Sequence, residues 1–187
     1  MLTKETYEQF KEKSSEYFKK AGIVISEEEM EKFQVAEFGL GCPETIGLEL
    51  VVYVNTDRCC AKELVLFPHQ TCAEHRHPPI PPASDRKGMD GKEETFRCRF
   101  GEVYLYVPGE PAPEIKAEIP KERAEYFTCR HEIILHPGEQ YTLAPDTLHW
   151  FQAGPEGAIV SEFSTKSMDD DDVFTDPMIN PQLKINI

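Results

Sequence analysis

From Gly39 onward the apolar residues of this chain stop recurring at helical spacing and begin to alternate, and proline and glycine interrupt the pattern every few residues. A period of two is the signature of a strand with one buried face, and short runs between turn residues leave room for strands and little else. Leu48, Leu50, Val52 and Val54 alternate in this way, and Lys62 to Pro68 forms a second strand-like run. Residues 94–107 read as two strands or as one strand bent at Gly101. Further strands are expected near 131–135, 140–143, 148–153 and 157–164, with Pro108-Gly109, Pro137-Gly138 and Gly154-Pro155 as turns. Many short strands at this spacing predict an all-β core, a β-sandwich or barrel of the jelly-roll type.

The N-terminus carries helix punctuation instead. Thr3 is placed to cap a helix, with Leu2 and Tyr7 as a hydrophobic staple. Tyr7, Phe10, Tyr17, Phe18 and Ala21 form one apolar stripe, and Gly22 ends it. Ser26 and Glu29 have capping-box spacing for a short second helix, stapled by Ile25 and Met30, with Met30 and Phe33 facing the core. The expected organisation is a helical segment, 1–38, packed on a β domain, 39–187. At 187 residues the chain can bury one full core.

The formal charge of -14 argues against nucleic acid and against an anionic membrane surface, since both demand a basic face. No apolar run approaches membrane-spanning length, and the N-terminus has charged residues where a signal peptide has an apolar stretch. The six cysteines include no C-x-x-C pair and are read as reduced thiols in a cytoplasmic protein.

Chemistry concentrates in Glu74-His75-Arg76-His77-Pro78-Pro79. Two imidazoles two residues apart share a face on a strand and make a ready pair of metal ligands. Glu94 leads the row Glu94, Phe96, Cys98 and Phe100, whose other members are apolar. A carboxylate on a core-facing row is costly unless it is paired, protonated or metal-bound, so Glu94 is a ligand candidate and Glu93 points to solvent. His149 follows the Pro145-Asp146 turn and shares a face with Phe151. His69, His131 and His136 are read as structural or exposed. Three imidazoles and a carboxylate leave about two positions open on an octahedral ion. Pro78 to Lys92, with four prolines, is a loop that lines or covers this site, and Asp169 to Asp172 is a solvated acidic loop.

These residues resemble the two cupin motifs: a His-x-His pair, a Glu separated by six residues from Gly101, then a proline- and glycine-rich turn before a His. The gap from His77 to Glu94 is longer than in a typical cupin, and Asp146 stands where the second motif usually has glycine. Ala73-Glu74-His75-Arg76-His77-Pro78, Lys92-Glu93-Glu94-Thr95-Phe96-Arg97-Cys98, Ser161-Glu162-Phe163-Ser164-Thr165 and Val173-Phe174-Thr175-Asp176-Pro177 are similar to the D-lyxose isomerase family of cupin sugar isomerases. The similarity is read from about residue 40 onward. It implies a cupin fold, a Mn²⁺-dependent aldose–ketose isomerase, and a homodimer. It implies conversion of D-lyxose to D-xylulose and of D-mannose to D-fructose, with ligands at His75, His77, Glu94 and His149. Co²⁺, Fe²⁺ and Zn²⁺ suit the same donors.

Such isomerisation moves a proton between C2 and C1 through an enediolate, whose charge a divalent metal stabilises. Glu162, on the Val160 face of its strand, is the candidate base, and Lys62 is a weaker candidate for polarising a sugar oxygen or shuttling the O1/O2 proton. Asp172 and Asp176 are further candidates for sugar hydroxyls. The rival readings are an iron-dependent dioxygenase, a phosphosugar isomerase, and a non-catalytic sugar-binding cupin.

Overall fold

A computed structural model of the chain describes residues 2–83, 88–180 and, by backbone alone, 184–185. Residues 84–87 of the loop expected over 78–92 lie outside the described residues. Two helices, α1 (Lys4–Ala21) and α2 (Glu27–Glu31), precede ten strands. The strands are β1 (Gln34–Ala36), β2 (Leu48–Asn55), β3 (Cys60–Leu66), β4 (Thr71–Arg76), β5 (Glu94–Val107), β6 (His131–Leu135), β7 (Gln140–Leu143), β8 (His149–Ser164), β9 (Val173–Phe174) and β10 (Lys184–Ile185).

Local chemistry sets the helix ends. The Thr3 hydroxyl accepts from Thr6 N at 3.1 Å, Ser26 and Glu29 close a reciprocal capping box, and Gly22 takes the left-handed conformation after α1. The stripe of α1 packs Tyr7, Phe10, Tyr17 and Phe18 onto Val35, Val51, Val65, Phe67 and Ile159, the outer face of the sheet. Strand β1 lies within 1–38, so that segment contributes to the sheet as well as covering it.

All ten strands join one curled sheet, ordered β10-β1-β2-β3-β8-β4-β9, with β5 paired along β8 and carrying β6 and β7. This is a cupin-type jelly roll. Two departures from the sequence reading concern bends. Gly154-Pro155 does not separate two strands: β8 runs through all sixteen residues. Its register against β5 jumps from Gly101↔Ala158 to Val103↔Ala153, so 154–157 bulge out of the ladder. The bulge is filled from outside, where the Tyr17 hydroxyl donates to Glu156 O at 2.9 Å; a side chain at Gly157 would meet that hydroxyl at 2.5 Å. The second bend lies between Cys98 and Phe100, where β5 shifts register and Phe100 changes face. Phe100 therefore leaves the row it shares by simple alternation with Glu94 and packs on Tyr17 at 5.7 Å.

The larger core fills the inside of the curl. Trp150 anchors it, stacked on Tyr106 at 3.9 Å and donating its indole N–H to Cys129 O at 3.0 Å. All six cysteines are free thiols. Among the described residues no helix is long and apolar enough to cross a membrane.

Candidate active site

Inward-facing positions of β3, β4, β5 and β8, with the loop before β5 and the acidic segment before β9, bound a cavity of about 80 Å³. One water needs about 10–15 Å³ on the same measure, so there is room for a molecule the size of a small sugar. Register places its polar side chains together. His75 pairs with His149 across β4 and β8, Lys62 with Glu162 across β3 and β8, and Phe96 with Glu162 across β5 and β8.

His75, His77 and His149 converge, with one ring nitrogen of each within 4.8 Å of the others. The remaining nitrogen of each ring is already engaged. Nδ1 of His75 lies 2.8 Å from Ala73 O, and that of His149 lies 2.9 Å from Thr147 O. A carbonyl only accepts, so both Nδ1 atoms carry the hydrogen and Nε2 keeps its lone pair. Nδ1 of His77 meets Asp172 Oδ1 at 2.5 Å. Such outer partners fix the tautomer and aim the rings of metal-ligating histidines. Glu94 Oε1 stands 3.1 Å from both His77 Nε2 and His149 Nε2. These three atoms are buried without a hydrogen-bond partner. Lone-pair atoms orphaned on one point are what a cation needs and what a core without one would not keep. The donor set fits a divalent metal.

Burial and neighbouring charges shift the cluster's groups in different directions. Burial, reinforced by the neighbouring imidazoles, holds His75 well below the usual histidine range and keeps it neutral. Burial pushes His77 down too, but Glu94 and Asp172 outweigh it and raise it to about 9. Burial would raise Glu94, yet Lys92 and the two imidazoles hold it well below the usual carboxylate range.

Lys92 is the residue that sequence reasoning passed over. It is buried, and its ammonium lies 2.7 Å from both Glu94 Oε2 and Glu162 Oε1. Burial alone would lower it, but those two carboxylates lift it well above the usual lysine range. The signal was its spacing: Lys92 and Glu94 are two apart on an extended chain and share a face. Gly91 makes the approach possible, with φ 93 and no room for a side chain, since a Cβ would meet His77 O at 2.8 Å. The proline-rich segment is pinned here as well, Ile80 and Met89 exchanging two backbone hydrogen bonds of 2.8 Å.

Glu162 is buried, 2.7 Å from Lys92 and 3.8 Å from Lys62, and it accepts from the Ser164 hydroxyl at 3.2 Å. Lys62 is buried, and it also binds Ser167 Oγ at 2.9 Å and Asp169 Oδ1 at 3.1 Å. The acidic run is thus more than a solvated loop: Asp169 docks on Lys62 and Asp172 on His77, and both line the cavity. Asp176 does not. It accepts from Met178 N at 2.9 Å and pairs with Arg123 at 3.1 Å, away from the cavity. None of His69, His131 and His136 lines the cavity either.

Asp146 explains its own departure from the cupin pattern. Its φ is 62°, the left-handed region where glycine is the default and Asp is tolerated, and its carboxylate holds Arg76 at 2.5 Å.

A jelly-roll barrel with three imidazoles and a carboxylate aimed at one interior point is a metal-binding cupin. A scan against protein-family models found no match. Curated relatives match nearly end to end: a D-lyxose ketol-isomerase from Thermofilum is 60% identical over 179 residues, 96% of each chain. A D-lyxose/D-mannose isomerase from Thermosediminibacter oceani is 59% identical over the same shares, and a D-lyxose ketol-isomerase from Cohnella laeviribosi is 57% identical over 90% of each chain. The chain belongs to the D-lyxose ketol-isomerase family and is an isomerase. At 96% coverage the likeness takes in the N-terminal helices, beyond the residue-40 limit read from motifs. Among solved structures, L-ribose isomerases from Acinetobacter and Cellulomonas parahominis superpose with TM-scores of 0.79 and 0.77. Each is 16% identical, covering 96% of this chain and 94% and 95% of theirs, a likeness of fold.

Proposed function

We propose that the protein interconverts D-lyxose with D-xylulose, and D-mannose with D-fructose, at a centre held by His75, His77, Glu94 and His149. The observation that carries this reading is the convergence of orphaned Nε2 and carboxylate atoms beside a carboxylate, Glu162, held between two buried lysines. The names of the curated relatives support the substrates. We take the native metal to be Mn²⁺, since mixed imidazole and carboxylate donors with room for sugar oxygens suit it. We take the working unit to be a homodimer, as the family resemblance implies.

A divalent metal held by His75, His77, Glu94 and His149 would supply Lewis-acid stabilisation of the negative charge that the reaction develops. Glu162 takes the proton from C2 of the open-chain aldose and returns it to C1. Lys92 holds Glu162 and Glu94 2.7 Å from a single ammonium, fixing base and ligand relative to each other. Lys62 faces the O1/O2 end, where a hydroxyl proton must change oxygen.

A phosphosugar substrate is disfavoured by the same geometry. Among the described residues lining the cavity there is no arginine, and both lysines are already paired with carboxylates.

The test is to strip the protein with chelator, restore Mn²⁺, and measure ketose formation from D-lyxose and D-mannose in D₂O. Activity that is lost and restored, with solvent deuterium entering the product, is the expected result. No turnover of either sugar with metal bound overturns the isomerase reading. Turnover with no solvent exchange counts against Glu162 as base and fits either a hydride shift or a shielded proton transfer, which retention of activity in Glu162→Gln or its loss then separates.

A further inference from the structure

One side of the cavity takes no part in the chemistry above. Going across the sheet from β5 through β8 and β3, the inward-facing residues are Glu94, then Glu162, then Lys62. On the next two strands only apolar groups line the cavity; Gln34, which pairs with Leu50 across β1 and β2, is not among the lining residues. Leu50 pairs with Leu64 across β2 and β3, and Leu48 pairs with Ala36 across β1 and β2. Ala36, Phe38, Leu48, Leu50 and Leu64 all line the cavity, and all are buried. From Glu162 on β8 to Leu50 on β2 is two strand steps, roughly 10 Å.

The wall is a built feature. Phe38 has φ 55, a conformation uncommon for a bulky residue and held only where the surroundings enforce it. Its ring packs on Phe174 at 5.4 Å, and Phe174 stacks on His75 at 5.3 Å. The apolar surface is therefore continuous from the wall to the edge of the imidazole cluster. Among the described lining residues on this side the polar exception is Asn180. It is exposed at the rim, engaged in an interaction of its own, and tied to Phe38 by its backbone N–H at 3.0 Å.

We propose that this β1–β2 wall is a specificity surface that receives the distal carbons of the sugar and selects for a terminal methyl group over a terminal hydroxymethyl. The inference rests on the isomerase reading. The reacting C1–C2 end belongs beside Glu162 and the imidazoles, so the tail of an open-chain hexose extends toward the leucines. A hydroxyl moved from water onto Leu48, Leu50 and Leu64 loses its hydrogen bonds and gains no partner, whereas a methyl group gains burial. A 6-deoxyaldose of the manno configuration is thus a better substrate than the hexose itself.

The experiment compares kcat/KM of the Mn²⁺-loaded protein for D-mannose and 6-deoxy-D-mannose, with D-lyxose as reference. The expected ratio favours the 6-deoxy sugar by about tenfold, equivalent to about 1.4 kcal/mol. Leu50→Asn, which offers the hydroxyl a partner, shrinks that ratio, while Leu50→Ala, which adds space and no partner, preserves it. If Leu50→Asn does not fold, the ratio measured on the unaltered protein decides. A ratio at or below one, or conversion of D-lyxose without conversion of the 6-deoxy sugar, overturns the wall and leaves the isomerase reading standing. Failure of all three sugars with metal bound overturns the isomerase reading and the wall with it.

Discussion

Replacing Glu49 by Gln should make the protein more stable, and increasingly so as pH rises. Glu49 sits on β2, opposite Val65 and Val35, in the layer between the sheet and α1. It is fully buried; Oε1 accepts from Gln70 Nε2 at 2.9 Å, and Oε2 has no partner. Burial raises its carboxyl from 4.5 to about 8, against smaller opposing effects from Gln70 and Lys13. The folded state therefore holds a proton that the unfolded state has released. The stability from that proton is fully present below the unfolded value and is lost as pH rises toward 8. Integrating the linkage between pH 5.5 and 7.5 gives a loss of about 2.5 kcal/mol for this one group. Gln keeps the acceptor oxygen for Gln70 and has nothing to titrate. Urea unfolding of both proteins in chelator, at several pH values across that interval, gives the difference directly, because every other titration cancels between them. A stability difference between the two proteins that stays flat within about 0.5 kcal/mol over the interval would refute the reasoning; for scale, a single pKa unit is about 1.4 kcal/mol.

Three further outcomes follow from the site. Glu162→Gln should lower kcat by at least about 10²-fold, the lower end of what a positioned acid or base contributes, while metal content measured by mass spectrometry stays stoichiometric. Asp172→Asn removes the ionic partner of His77 Nδ1 and should weaken metal affinity by roughly 10–100-fold in a competitive chelator titration, with secondary structure unchanged. At Asp146, with φ 62, Gly should be tolerated in thermal unfolding, while the β-branched Val should cost about 1–2 kcal/mol or more.

The helix ends, most of the strands and the separate polar residues of the candidate site were legible in the sequence, because these depend on short-range chemistry. Thr3, Ser26 and Gly22 act within one turn of the chain, and alternation at Leu48–Val54 or Glu94–Cys98 follows from the pleat of a single strand. Alternation fails where a partner strand forces a bulge, as at Phe100, and turn residues fail as strand breaks where a neighbour absorbs the bend, as Tyr17 does at Gly154–Gly157. Strands β1 and β9 are too short to show a period, since their pairing comes from β2, β10 and β4. Which charges meet was not legible in the sequence. The pairing of Lys92 with Glu162, 70 residues away, of Asp169 with Lys62, and of Asp172 with His77 depends on strand order and curl. The same holds for Asp176, whose carboxylate the fold gives to Arg123 rather than to the cavity. A local pattern shows which face a side chain takes; what lies opposite that face is fixed by the closure of the barrel.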